Sequence, residues 1–362
     1  MQDATPALPL RATVDRDVTG ARLIAGSVAV LMIALFLSLS VGATGVTLAS
    51  LPRVVWGAIH GFTDPVVARE QLILLGIRLP RTILGLFVGA ALGVAGTMMQ
   101  GLFRNPLADP GIVGVSSGAA LAAVATIALG NGLFLPWTRA FGVYALPFAA
   151  FLGGFATTIL LVAIAGRQGQ VMVGTLLLAG IAIGAIAGAL TGLIAYASDD
   201  RELRDLTLWS MGSLSGASWP KVVAILPFAL LVLIVLPKVI RALNGFLLGE
   251  AEAFHLGVDT EKTKRLVILT TAAAVGAAVA VAGVVGFVGI VVPHLVRLLA
   301  GPDHRFVLPA SALLGASLLL VADVIARMIV RPAELPLGIV MAAVGAPVFL
   351  HLVLRRGIGG VE

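Results

Sequence analysis

Apolar stretches long enough to cross a bilayer recur along the whole 362-residue chain. A helix needs about 20 such residues to span a hydrocarbon core of about 30 Å. The runs are Leu23–Ala43, Thr82–Leu102, Ile112–Leu129, Tyr144–Ala165, Val171–Ala197, Trp219–Val239, Leu266–Ala300, Phe306–Met328 and Pro336–Leu354. At a rise of ~1.5 Å per residue, the run Leu266–Ala300 would measure roughly 50 Å as one helix, too long for a single crossing. Its segment Gly283-Val-Val-Gly-Phe-Val-Gly289 offers glycines at which the chain can turn. Divided there, the sequence predicts ten membrane helices and an all-α polytopic membrane protein. Composition agrees: 59% of residues are apolar and 12% charged, against about 45–50% and roughly 25% in soluble domains. Cysteine is absent, which excludes disulfides, thiolate metal sites and a cysteine nucleophile.

Charge sets the expected topology. Arg11, Arg16 and Arg22 precede the first run, and Arg355 and Arg356 follow the last. Positive residues gather on the cytoplasmic side, so both termini are expected inside, which requires an even number of crossings. The polar lead of residues 1–22 and the long first run do not fit a cleaved signal. Residues 1–22 therefore read as a cytoplasmic extension, and 23–356 as the ten-helix domain. Of the 24 Lys and Arg, ten fall outside in this topology: Arg53, Arg69, Arg78, Arg81, Arg139, Arg201, Arg204, Lys221, Arg327 and Arg331. Two readings compete for so basic an outer surface. One is local pairing with Glu70, Asp199, Asp200, Glu202, Asp205, Asp323 and Glu334; the other is docking of an acidic partner or anionic solute.

Several chemistries have no residues to carry them. There is no G-x-x-x-x-G-K-[ST] phosphate loop and no H-E-x-x-H pair, so neither direct ATP binding of that type nor that zinc chemistry is expected. The five histidines are scattered, and no catalytic or metal site is predicted. A mid-membrane charge costs at least ~2.5–3.5 kcal/mol, which ion-coupled carriers tolerate because the charge does the coupling. Asp323 falls near the outer end of its helix, so no deep acid remains for that task. Energy is then expected from a partner. Residues 243–262 form a long inside loop in which Glu250-Ala-Glu-Ala-Phe254 reads as a short helix between Gly249 and Gly257. Phe254 and Leu256 on one face suit a groove on a soluble protein. The next helix begins at a cap supplied by Asp259 or Thr260. Asn105-Pro-Leu-Ala-Asp109-Pro-Gly111 reads as paired proline turns in which Asp109 has a structural role.

Beside this reading stands a resemblance. Arg78-Leu-Pro-Arg-Thr82, Val88-Gly-Ala-Ala-Leu-Gly93, the long run from Met99 through Asn105-Pro-Leu-Ala-Asp-Pro-Gly111 to Ala119, Leu178-Ala-Gly-Ile-Ala182 and Trp209-Ser-Met-Gly212 carry it. So do Gly286-Phe-Val-Gly-Ile-Val-Val-Pro-His294, Glu334-Leu-Pro-Leu-Gly338 and Gly345-Ala-Pro-Val-Phe349. From about residue 22 to 356 the chain resembles the permease family of ABC importers for iron-siderophores, haem and cobalamin. The resemblance implies a type II importer permease: ten helices per subunit, a homodimer with the pathway on its axis, in the bacterial inner membrane. It implies two cytoplasmic ATPase subunits, which carry the ATP and Mg, seated on coupling helices formed by Gly249, Glu250, Ala253, Phe254, Leu256 and Gly257. It implies a periplasmic substrate-binding protein docked at Arg78, Arg81 and Arg327, and a cytoplasmic gate at Val173, Gly174 and Thr175. No cofactor, metal or nucleic acid is implied for this chain, and it is not expected to be an enzyme.

For the cargo, the outer segment from Ser198 to Met211 is the informative one. Arg201 and Arg204 suit acidic groups such as haem propionates, and Trp209 or Met211 a ring face. The same arginines also suit pairing with Asp199, Asp200, Glu202 and Asp205 along a helix surface. The wording Leu107-Ala-Asp-Pro-Gly111 and Ser116-Ser-Gly-Ala-Ala-Leu121 resembles the haem members. Haem is therefore the expected cargo, with a ferric siderophore or cobalamin as alternative and an autonomous carrier or channel as the reading from another class.

Overall fold

The computed structural model describes residues 10–42, 51–60, 65–167 and 170–357. Among them the chain forms fifteen α-helices and one two-stranded antiparallel hairpin. The helices are α1 (Leu10–Ser40), α2 (Leu51–His60), α3 (Pro65–Gln71), α4 (Leu79–Leu102), α5 (Val115–Leu129), α6 (Leu135–Phe141), α7 (Ala145–Ala165) and α8 (Val173–Ala197). They continue as α9 (Asp200–Ser210), α10 (Trp219–Phe246), α11 (Glu250–His255), α12 (Thr260–Ala282), α13 (Val288–Ala300), α14 (His304–Met328) and α15 (Leu337–Gly357). Seven helical runs are long and apolar enough to cross a membrane, and the three shorter apolar helices α5, α13 and α15 bring the number to ten. Helices are the form expected here, because lipid offers no partner for an unpaired backbone group.

The run Leu266–Ala300 does break where its glycines allow. α12 stops at Ala282, Gly283 adopts a positive φ of 72°, and α13 starts at Val288 after Phe287 at φ 67°. Neighbouring backbone fixes the break. Ser213 donates its N–H to the Ala282 carbonyl at 2.7 Å, while the Gly212 and Met211 carbonyls accept from Leu337 and Gly338 at 2.9 and 2.8 Å. The motifs Trp209–Gly212, Gly283–Gly286 and Glu334–Gly338 thus meet in one junction.

Other boundaries differ from expectation. α1 begins at Leu10, so much of the extension continues the first helix; residues 1–9 and Ala43 lie outside the described residues. The second crossing is preceded by α3 and by wide π-type turns over Leu72–Arg78, making one helical run from Pro65 to Leu102. Apolar periodicity does not announce these lead-in turns.

α4 and α12 sit at the centre, buried along most of their length. α4 presents Gly85, Gly89, Gly93 and Gly96 to its neighbours. A Cβ on Gly93 would collide with the Ser311 carbonyl of α14, and one on Gly96 with the Gly289 carbonyl of α13. Small residues four apart permit this backbone contact, which stands in for the hydrophobic driving force that lipid does not supply. α4 and α14 run antiparallel: Gly101 abuts His304 at one end, and Arg81 meets Asp323 at the other. These ends are called below the Glu250 end and the Arg81 end.

Gly96→Val should force α13 away from α4. The cost of such overpacking is typically ~1–3 kcal/mol. A lower Tm in detergent, measured beside an exposed control such as Gly26→Ala, is the expected outcome.

Candidate functional site

At the Arg81 end, three arginines close a polar cluster at the end of the bundle. Arg81 grips Asp323 through Nε at 3.1 Å and Nη2 at 2.8 Å, and reaches Glu334 with Nη1 at 3.0 Å and Nη2 at 2.9 Å. Asp323 also takes Arg327 Nε at 3.1 Å, one turn along α14. Arg78 and Arg327 donate to the last carbonyls of α1: Arg78 to Leu39 and Ser40 at 2.6 and 3.1 Å, and Arg327 to Ser38 and Val41 at 3.3 and 3.2 Å. A helix C-terminus carries unpaired carbonyls and partial negative charge, so two guanidiniums suit it.

All three arginines are buried, whereas Glu334 keeps 38% of its side chain exposed and is the cluster's open member. The local-pairing reading therefore describes Arg81 and Arg327. Their partners lie 242 and 253 residues from Arg81, and the capping of α1 has no sequence signal.

α9 carries the cargo candidates. Asp199 and Glu202 form a reciprocal capping box, with Glu202 N–H to Asp199 at 2.7 Å and Asp199 N–H to Glu202 at 3.2 Å. Arg201 and Arg204 are exposed and form no ion pair with a described residue. The alternative of helix-surface pairing is thus not realised: two of the acids cap the helix instead. Trp209 turns inward and lines a cavity of about 430 Å³ with Leu208, Ser213, Ser215 and Lys221. Met211 stays exposed, so the four cargo candidates share a segment but do not converge on one cavity.

The Glu250 end bears the coupling candidates. Gly249 at φ 131° and Gly257 at φ 83° bracket α11. Ala253 is fully buried against the bundle, while Phe254 and Leu256 are 66% and 65% exposed. Asp259 caps α12 by accepting from Lys262 N–H at 3.0 Å. The Lys262 side chain also bonds this carboxyl and holds it below its ordinary range. At the same end Gly166–Arg167 (β1) and Gln170–Val171 (β2) form the hairpin that leads into α8. Val173 and Thr175 are half-buried there and Gly174 is exposed. The apolar tip and the short helix α11 thus lie on one end of the bundle.

The proline turns at this end are held by side-chain caps. Asn105 accepts from Leu107 N–H at 2.9 Å, and Asp109 from Gly111 N–H at 2.7 Å. Burial raises the Asp109 carboxyl above its ordinary value, with the Gly111 N–H opposing.

About ten apolar helices, with a short helix exposing Phe254 at one end and a charged cluster at the other, define a multi-pass membrane protein. The chain belongs to the FecCD transport family, whose profile matches residues 30–355. It is 47% identical over 290 residues to the hemin transport system permease protein of Yersinia pestis, covering 78% of this chain and 84% of that one. It is 46% identical over 286 residues to the cobalamin import system permease protein of Halobacterium salinarum, covering 79% and 74%. A solved structure of an inward-facing metal-chelate type ABC transporter superposes with a TM-score of 0.79 at 33% identity, covering 92% of this chain and 99% of that one. The chain is accordingly a multi-pass ABC importer permease and not an enzyme; ATP hydrolysis in such systems belongs to a separate subunit.

Asp323→Asn tests the arginine cluster. Removing one partner of a buried ion pair costs ~3–5 kcal/mol, because the remaining charge is left uncompensated. A marked loss of thermal stability and of folded yield in detergent is expected, with Glu334→Gln far milder.

Proposed function

We propose that the chain is the membrane-spanning subunit of an importer that carries haem into the cytoplasm by alternating access between two copies. The observation that carries the cargo is the pair of exposed guanidiniums, Arg201 and Arg204, one turn apart on α9 and unpaired within the described chain. Two exposed cations on one helix suit the two carboxylates of a haem, although Trp209 and Met211 do not join them in one cavity. The similarity to a haem permease supports the same cargo. A ferric siderophore or cobalamin is the second reading, and the similarity to a cobalamin permease supports the latter. Both termini and the Glu250 end face the cytoplasm in this proposal. There Gly249–Gly257 seats the ATPase through Phe254 and Leu256, and Val173–Thr175 gates the exit. The lack of a deep acid supports an external energy source over an autonomous carrier.

Pairing of two copies through α8 is part of the reading. α8 is among the least covered apolar helices, with only Leu176, Gly180 and Ala187 buried along its length. Gly174, Gly188 and Gly192 have nothing within 4 Å of a Cβ position. Small residues that face no other described residue support close approach of a second backbone.

Docking of a substrate-binding protein is assigned to the Arg78, Arg81 and Arg327 cluster. Since Glu334 is the exposed partner of Arg81, an acidic residue of the docking protein takes its place while Asp323 keeps the inner edge of the guanidinium. Glu334→Gln should then tighten binding-protein affinity and steepen its salt dependence. Unchanged docking would remove the assignment.

Reconstitution with the cognate ATPase and binding protein in liposomes tests the cargo. ATP-dependent haem accumulation, reduced in Arg201→Glu/Arg204→Glu, is the expected result. ATP-dependent uptake of cobalamin and not haem would select the second reading.

A further inference from the structure

Lys264 has no assigned role, yet it is 5% exposed and stands where three elements meet. An ammonium has three N–H donors. Here each goes to a different acceptor: the Glu250 carboxylate of α11, the Glu261 carboxylate one turn back on α12 at 2.8 Å, and the Val171 carbonyl of β2 at 3.4 Å. Glu261 completes the ring, its other oxygen accepting the Val171 N–H at 2.8 Å. Both backbone groups of Val171 are therefore held by side chains of α12. The connection onward is short and stiff. Met172 donates to the Ala165 carbonyl at 3.1 Å, closing the hairpin, and its own carbonyl accepts from Leu176 at 3.0 Å in the first turn of α8.

A buried ion pair is weak evidence for stability, because desolvation offsets most of the attraction; its better-attested use is to fix register. The register fixed here joins the proposed ATPase seat to the proposed gate. We propose that Lys264 is a positioning residue that ties α11 to the hairpin ahead of α8, so that displacement of α11 by a bound ATPase moves Val173–Thr175. This rests on the importer reading above. Lys264 and Glu261 supply the charged link between α11 and Val171 of the hairpin.

The test uses the complete complex, the permease with its cognate ATPase and binding protein, in proteoliposomes with haem as probe. Lys264→Met keeps the stem and removes the charge. It should leave ATPase assembly intact and ATP hydrolysis within about twofold, while haem moved per ATP falls by about tenfold, inside the usual range of coupling between sites. Hydrogen exchange supplies the second readout. Nucleotide should change exchange in α11 and in residues 165–176 of the wild type, but in α11 alone in Lys264→Met. Lys264→Arg, which retains the charge and several donors, should restore most of both. An unaltered haem-to-ATP ratio in Lys264→Met overturns the proposal. So does loss of the ATPase from that variant, which would make Lys264 part of the seat, and so does a folded Lys264→Arg that restores nothing. Failure of the importer reading appears separately, as no nucleotide effect on α11 in the wild type, and a wrong cargo leaves the exchange experiment unaffected.

Discussion

Backbone contact along the glycine face of α4 is the constraint on which the bundle rests. In lipid, apolar side chains gain little by leaving one hydrocarbon for another, so helices associate where their surfaces approach closely and fit. Gly89 and Gly93 bring α4 onto α14, and Gly96 brings it onto the start of α13. That start exists only because Gly283 and Phe287 break the long apolar run. The close packing also fixes which charges meet. With α4 against α14 in this register, Arg81 faces Asp323 at one end and Gly101 faces His304 at the other.

The charges obey one rule at both ends: those withdrawn from water are shared among several elements. At the Arg81 end, Asp323 serves two arginines, and two arginines serve the carbonyls of α1. At the Glu250 end, Lys264 serves α11, α12 and β2. In each case a charge with one partner would be costly to bury, and several acceptors offset the desolvation. The two clusters differ in what they tie. The first joins α1, α4 and α14 at one end of the bundle and suits a rigid platform. The second joins a peripheral helix to a hairpin and suits transmission.

What the sequence discloses follows from the range of the interactions. The crossings are legible because each needs only its own apolar residues. The break at Gly283, the short helix Glu250–His255 and the caps by Asp109 and Asp259 are legible because each depends on residues within a few positions. The π-type turns over Leu72–Arg78 and the hairpin at Gly166–Val171 are not, since neither has a periodicity that competes with the helices around it. Least legible are the partners of Arg81 and Lys264. Arg81 finds Asp323 across 242 residues, and Lys264 finds Val171 across 93. Composition narrows Arg81 to pairing or docking but cannot choose. The fold makes the pairs, and Glu334 leaves one edge of the cluster accessible.

This division explains why so apolar a chain keeps the few buried charges it has. Packing on glycine holds the centre of the bundle by backbone contact at Gly89, Gly93 and Gly96, which involves no titratable group. The charged clusters lie off that centre, where small displacements are affordable. Movement at the Glu250 end need not disturb α4, since neither α11 nor the hairpin contributes to its glycine face. The proposed alternating access would use this separation: a middle packed on backbone contact, and ends whose few ionic links tie particular segments together.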